Sequence, residues 1–302
     1  MAKRNQKGRK SAVKVFAGKA RKGHSASVMN PVYLAEIERF RLMDDDFMSK
    51  CLENAPECIE LMLQIILGKK DLKVIKSQTE YPIKSLQGRG VRFDVFARDS
   101  MGREYDIEIQ RADKGAEPKR ARYNSALMDA NALKPGEDFG KLRDTYVIFI
   151  TENDVIGGNK EIYHVNRKVE ELNCEDFGDG THVVYVNGAT RSATEIGKLV
   201  HDLLCRDTEK MHFDILKKRV SEFKNSEEGR RTMCTTMERI KAEGIIEGEA
   251  RGKRAGKREG RRENMLATAK RLLANGKLML KEIAECCGLS LAEVKKLQAS
   301  MA

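Results

Sequence analysis

The chain has no cysteine pair at redox or metal spacing, no long apolar run and no glycine-rich nucleotide loop. Its seven cysteines are scattered through 302 residues. Cys51 and Cys58 do not form a C-x-x-C pair, and the adjacent Cys286 and Cys287 fit no zinc pattern. Such a set suits free, mostly structural thiols in a reducing compartment. No stretch approaches the roughly 18 apolar residues of a membrane span, and the first residues lack the apolar segment of a signal peptide, so a cytoplasmic protein without membrane attachment is expected. Neither a P-loop nor a G-x-G-x-x-G run is present, which leaves ATP hydrolysis and dinucleotide binding without support. The five histidines include His164, His182, His201 and His212, which show no ligand spacing and read as structural or exposed.

Acidic residues are also missing where basic ones are dense. Residues 1–30 hold nine Lys and Arg and no acid. Residues 241–302 carry +6, which leaves −4 for 31–240 out of the net +11. Basic ends on a mildly acidic body suit attachment to a polyanion such as nucleic acid. The 1–30 segment has too few apolar residues to offset its ordering entropy and reads as a disordered basic arm.

The centre of the chain is the stretch 91–111, VRFDVFARDSMGREYDIEIQR. It alternates apolar and polar residues on both sides of a turn, the pattern of a hairpin. In a three-residue loop Ser100-Met101-Gly102, Gly102 takes the last position, where φ must be positive. That loop pairs Asp99 with Arg103 and sets Asp94 opposite Glu108 and Arg92 opposite Gln110. Facing carboxylates repel across a ladder. A hard divalent cation bridging them would compensate, since Mg²⁺ binds through one or two carboxylates plus substrate phosphate. A solvated charged face, neutralised by Arg92 and Arg103, is the plainer alternative.

Around the hairpin, 33–68 is helical in pattern and ends at Gly68, with Asp44 to Asp46 as cap chemistry inside it. Residues 72–82 read as a strand, and 118–134 as a helix opened by Pro118. The near-continuous apolar runs 145–151 and 182–186 read as strands buried on both faces, often parallel. Helices follow at 192–206 and 208–224. The order αβββαβ then helices gives an α/β sandwich with a mixed sheet, its crossover right-handed.

Asp94 followed by Glu108-Ile109-Gln110 after a glycine-turned hairpin resembles the core of the PD-(D/E)xK nucleases. It resembles above all the branch known as PD-(D/E)xK family transposases, or recombination-promoting nucleases. The likeness runs over roughly 40–240 and includes Met43-Asp44-Asp45-Asp46-Phe47-Met48, Gln110-Arg111-Ala112-Asp113 and Lys119-Arg120-Ala121-Arg122-Tyr123-Asn124. It implies a restriction-endonuclease-like αβββαβ core with a mixed central sheet, plus a helical C-terminal tail. It further implies a Mg²⁺- or Mn²⁺-dependent DNA endonuclease of recombination or mobile-element type, with Asp94 and Glu108 as metal ligands. Asp94, Glu108, Gln110 and a helical acid, Asp44 or nearly as well Asp46, would form the catalytic set. The usual Lys is Gln110 here, so a catalytically weak DNA-binding or regulatory protein that keeps the fold is the competing expectation; an RNA-directed nuclease is a third. Lys119, Arg120 and Tyr123 are expected to contact nucleic acid, or to be surface packing of a basic helical turn.

Glycine recurs every four residues from Gly244 to Gly260, through a segment 241–263 that reads as either a helix or a flexible basic linker. Its Lys253, Arg254, Lys257 and Arg258 are candidates to track phosphates. A nuclease domain at 31–240 and a tail at 264–302 complete the expected organisation. Within the tail, a helix at 264–275 stopped by Gly276 precedes a helix-turn-helix-like pattern with Ala284, Gly288 and Ser290, and a second helix at 291–299. That helix offers Lys295 and Lys296 to DNA; the same hairpin would also serve homo-oligomerisation.

Overall fold

The structure, a computed structural model, describes residues 29–84, 88–111 and 115–301. Most of the expected basic arm lies outside them. Three short helices open the fold: α1 (Pro31–Arg39), α2 (Asp45–Leu52) and α3 (Pro56–Leu67). Local signals mark the start of α1 and the end of α3. Asn30 caps α1 by accepting from the Val32 N–H at 2.9 Å, and Gly68 ends α3 in the left-handed region, φ +63°.

Strands β1 (Val74–Ile83), β2 (Val91–Asp99) and β3 (Glu104–Gln110) form an antiparallel meander. Helix α4 (Pro118–Ala132) crosses over to β4 (Thr145–Thr151), which runs parallel to β3. Then come β5 (Ile162–Val165), a small ribbon of β6 (Lys168–Val169) and β7 (Glu175–Asp176), and β8 (Thr181–Asn187). The main sheet has six strands in the order β1-β2-β3-β4-β8-β5, with β4 and β8 parallel and β5 antiparallel. This is the expected α/β fold with a mixed central sheet. Strand β5 and the ribbon were not anticipated, because four- and two-residue strands carry too little periodicity to stand out from loop.

One face of the sheet (Tyr105, Ile107, Ile109, Ile148, Ile150, Val186) packs on α1–α3 and on the later helices α5 (Glu195–Leu204) and α6 (Asp214–Asn225). The other face (Phe96, Val147, Phe149, Tyr185) packs on Ala121, Leu127 and Met128 of α4. Because side chains alternate along β3, its odd positions belong to the first core and its even positions, Asp106, Glu108 and Gln110, look toward α4. The helix expected at 208–224 is shorter, since a 3-10 turn at Thr208–Lys210 precedes α6. The intervening His212 and Phe213 N–H groups go to the Asp202 carboxylate instead of a helix.

Helix α7 (Glu227–Asn275) runs unbroken through the glycine repeat, so the segment is helix rather than linker. Every residue from 241 to 264 is exposed. The glycines cost the helix on the order of 4–5 kcal/mol relative to Ala. Packing at its two ends holds it: on α1 and α6 at the start, and at the finish on α8 (Leu280–Cys287) and α9 (Leu291–Ala299) through Ala269, Ile283, Ala284, Cys287 and Val294. Between α8 and α9, Gly288 is left-handed (φ +66°) and the Ser290 side chain caps α9. No helix among the described residues is long and apolar enough to cross a membrane.

Two glycines of α7 should respond oppositely to substitution. A Cβ on Gly229 would lie 2.1 Å from the Glu222 carbonyl oxygen and 2.6 Å from Phe223 Cα, where α6 reverses into α7. Neither backbone atom can give way, so Gly229→Ala is expected to cost about 2–3 kcal/mol in urea unfolding. Gly248 has nothing within 4 Å, and Gly248→Ala should instead stabilise by about 0.5–1 kcal/mol. Equal responses at the two positions would contradict this packing.

Candidate active site

The β2–β3 turn sets the register. Asp99 N–H donates to the Arg103 carbonyl at 3.1 Å, Gly102 has φ +84°, and the Asp99 carboxylate accepts from the Met101 and Arg103 N–H groups at 3.0 and 2.9 Å. The ladder then runs from Arg98↔Glu104 to Val95↔Ile107. Its next step is Asp94 beside Glu108, as the turn chemistry predicts. Regular pairing ends there. The Ile109 N–H donates to Asp94 Oδ2 at 2.9 Å rather than to a strand carbonyl. On the other side the β1–β2 ladder skips Asp94 as well: Thr79↔Val95 and Tyr81↔Phe93 pair, while Glu80 between them has φ +50°. Irregularities of this kind re-aim side chains at functional sites. Arg92 therefore does not pair with Gln110 and instead reaches Glu80 at 3.4 Å.

Glu108 is completely buried and carries most of the polar contacts. It is ion-paired with Arg120 of α4. It also accepts from Gln110 Nε2 at 3.3 Å and from Asn124 Nδ2 at 3.4 Å. Arg120 lies over the Phe149 ring, 5.8 Å from its centroid, and donates to the Gly115 carbonyl at 2.9 Å. The β3–α4 connection must pass close to Gln110: Gly115 has φ +121°, and a Cβ there would be 2.5 Å from Gln110 Oε1.

Asp106, two residues before Glu108 on the same face, is a further site residue that sequence reasoning missed. It is fully buried and accepts from Asn124 Nδ2 at 2.8 Å. The alternation D-x-E-x-Q was the available signal, since it puts Asp106, Glu108 and Gln110 on one face. Burial, reinforced by the charge of Glu108, holds the Asp106 carboxyl well above the ordinary range. Its Oδ1 has no hydrogen-bond partner. Burial pushes Asp94 up to about 6, aided by the charge of Asp45 and opposed by the Ile109 N–H. Burial and the Asp94 charge push Glu108 up to about 7 despite Arg120. Two acids that resist ionising even with Arg120 paired to Glu108, with one orphaned oxygen beside them, leave room for further positive charge. A hard divalent cation fits that donor set.

The acids of α2 divide their roles differently from the expected choice of Asp44. Asp44 sits in a lattice of Arg41, Arg111 and Glu152: it accepts from the Arg41 N–H at 2.8 Å and pairs with Arg111 at 2.9 Å, while Arg41 pairs with Glu152 at 2.9 Å. This ties the α1–α2 turn to the ends of β3 and β4. Asp45, exposed at the start of α2, is the acid of the three whose charge acts on Asp94. Asp46 is raised chiefly by burial.

Beside the carboxylates lies a hollow of about 880 Å³ lined by Arg89, Arg92, Lys119, Arg120, Arg122 and Tyr123. Tyr123 donates to the Arg89 carbonyl at 2.6 Å, which joins the loop before β2 to α4. The structure thus brings Lys119, Arg120 and Tyr123 to the acids and adds Arg89, Arg92 and Arg122. It does not bring Lys253, Arg254, Lys257 and Arg258 there, which are exposed along α7, nor Lys295 and Lys296, exposed on α9.

An αβββαβ sheet with neighbouring carboxylates where a hairpin splays, flanked by a basic hollow, is consistent with the PD-(D/E)XK fold. Residues 53–196 match the family model of the PD-(D/E)XK nuclease family transposases, the family that the hairpin motif resembles. No curated protein and no solved structure matches the chain. The matched segment contains Asp94, Asp106, Glu108, Gln110 and the basic hollow; Asp44–Asp46 and helices α6–α9 lie outside it. The match supports a nuclease of mobile-element type, a group that generally uses divalent metal.

Proposed function

We propose that the protein is a metal-dependent DNA endonuclease of recombination or mobile-element type, acting in the cytoplasm. The observation that carries this reading is half-buried Asp94 and completely buried Glu108 on adjacent strands, both carboxyls held above their ordinary range, at the rim of an arginine-lined hollow. The two carboxylates would hold Mg²⁺ or Mn²⁺, which when bound polarises the scissile phosphate and lowers the pKa of an attacking water. Asn124 donates to both Asp106 and Glu108 and fixes the Glu108 carboxylate from behind. Gln110 offers an amide to orient water, but it carries no charge and is no base at neutral pH. Charge developing on phosphate is met by Arg120 and Lys119. Asp45 replaces Asp44 in this reading as the helical acid beside Asp94.

A specific observation favours a second reading. Arg120 already neutralises Glu108, and Gln110 stands where the superfamily has Lys, as a DNA binder without cleavage would tolerate. Metal-linked stabilisation separates the two. A nuclease should gain several degrees of thermal stability with millimolar Mn²⁺, lost in Asp94→Ala. Equal Mn²⁺ response in wild type and Asp94→Ala would remove the proposed site.

The hollow makes its own prediction. Arg89, Arg92, Lys119 and Arg122 would track phosphates, each adding about 0.9 to the salt slope of duplex binding. Replacing all four by Ala should flatten that slope by about 3–4 and weaken low-salt binding on the order of 10²-fold in fluorescence anisotropy. An unchanged slope would shift DNA contact to the basic α7 segment or to α9.

A further inference from the structure

A second cluster of ligating side chains lies at the opposite end of the domain's chemistry, in nitrogen rather than oxygen. His201 near the end of α5 and His212 just before α6 are eleven residues apart, so no spacing rule joins them. The fold sets both against Asp202. His201 Nδ1 is 3.1 Å and His212 Nδ1 3.0 Å from the same oxygen, Asp202 Oδ1. Asp202 is completely buried. It is held rigidly, since the His212 N–H reaches both its oxygens and the Phe213 N–H its Oδ2, all at 2.9 Å. The two imidazoles are edge-to-face with centroids 4.6 Å apart, and each is partly open to solvent.

We infer that His201, Asp202 and His212 form a binding site for an imidazole-preferring divalent metal of the Zn²⁺ class, distinct from the carboxylate pair. One ligand atom from each residue lies within 4.8 Å of the others, and among the described residues this is the cluster of His, Cys, Asp or Glu with that property. At metal–ligand distances of about 2.0–2.2 Å, neighbouring corners of a tetrahedron are about 3.3–3.6 Å apart. The two nitrogen–oxygen separations are thus within a few tenths of an ångström of coordination geometry. Two imidazoles and one carboxylate are a three-ligand set that leaves the fourth position open. Both imidazoles line a hollow of about 540 Å³ together with Arg191, Ser192 and Lys198, where an exogenous ligand could complete the set. Hard Mg²⁺ prefers oxygen, so the two sites take different ions. A bound metal would clasp the end of α5 to the start of α6 and could carry an exchangeable ligand there.

The test uses full-length protein titrated with Co²⁺ as a spectroscopic stand-in, then with Zn²⁺ as competitor. His201→Asn and His212→Asn are the informative variants, because the Asn amide can keep the hydrogen bond to Asp202 while providing no imidazole. The expected result is one equivalent of Co²⁺ giving visible absorption without thiolate charge transfer, displaced by Zn²⁺. It should persist in Asp94→Ala and weaken at least tenfold in either Asn variant, with their thermal unfolding near wild type. No Co²⁺ spectrum, a thiolate spectrum, or a spectrum unchanged in both Asn variants would overturn the site.

Discussion

Asp94→Asn is expected to lose metal-dependent DNA nicking by 10³-fold or more while becoming more stable than wild type at pH 8. Both effects have one cause. Asp94 is raised from the ordinary 3.8 to about 6 chiefly by burial, so at pH 8 the metal-free protein holds a carboxylate charge that the unfolded chain carries in water at no such cost. Its folded pKa is higher, so the native state binds more protons between about 4 and 6, and stability falls as pH rises through that window. Asparagine removes the charge and keeps an oxygen for the Ile109 N–H. A gain of about 1–3 kcal/mol is expected, read as several degrees in thermal unfolding without metal. The same change deletes a proposed metal ligand. Active sites commonly sacrifice stability for chemistry in this way. A variant both inactive and strongly destabilised at pH 8 would show that Asp94 is a structural carboxylate.

Metal response should depend on pH with a definite sign. Asp94 and Glu108, raised to about 6 and about 7, must shed their protons before they ligate. Apparent Mn²⁺ affinity, measured by titration calorimetry or metal-linked thermal shift, is expected to rise on the order of 10²-fold from pH 5.5 to 7.5 and then level. Because the two acids interact, the midpoints belong to the pair rather than to either residue. Metal-free stability should move oppositely over the same range, declining as the acids ionise. Metal affinity that is flat, or that strengthens toward acid, would mean that the ion binds elsewhere.

The hairpin was the most legible part of the chain. Gly102 and the Asp99 turn determine the loop, the loop determines the register, and the register places Asp94 beside Glu108 without knowledge of any other element. The buried strands at 145–151 and 182–186, the stop at Gly276 and the cap at Ser290 were legible for the same reason, since each rests on local chemistry. What remained hidden depended on how separate elements dock. The contact of Arg120 with Glu108 requires the α4 crossover to settle over β3. The choice among Asp44, Asp45 and Asp46 turns on the rotation of α2, which three consecutive acids cannot encode. Asp106 was on a visible face, but the rise of its carboxyl above the ordinary range follows from complete burial beside the charge of Glu108. His201 and His212 meet only because Asp202 captures the backbone N–H groups of His212 and Phe213.

The central claim, a nuclease centred on the hairpin carboxylates, is tested most directly by nicking of supercoiled plasmid at low salt with Mg²⁺ or Mn²⁺, in wild type and Glu108→Ala. The account predicts nicking that requires metal and disappears in the variant while DNA binding persists. Nicking that survives in Glu108→Ala, or its absence from both proteins although each binds DNA, would contradict it.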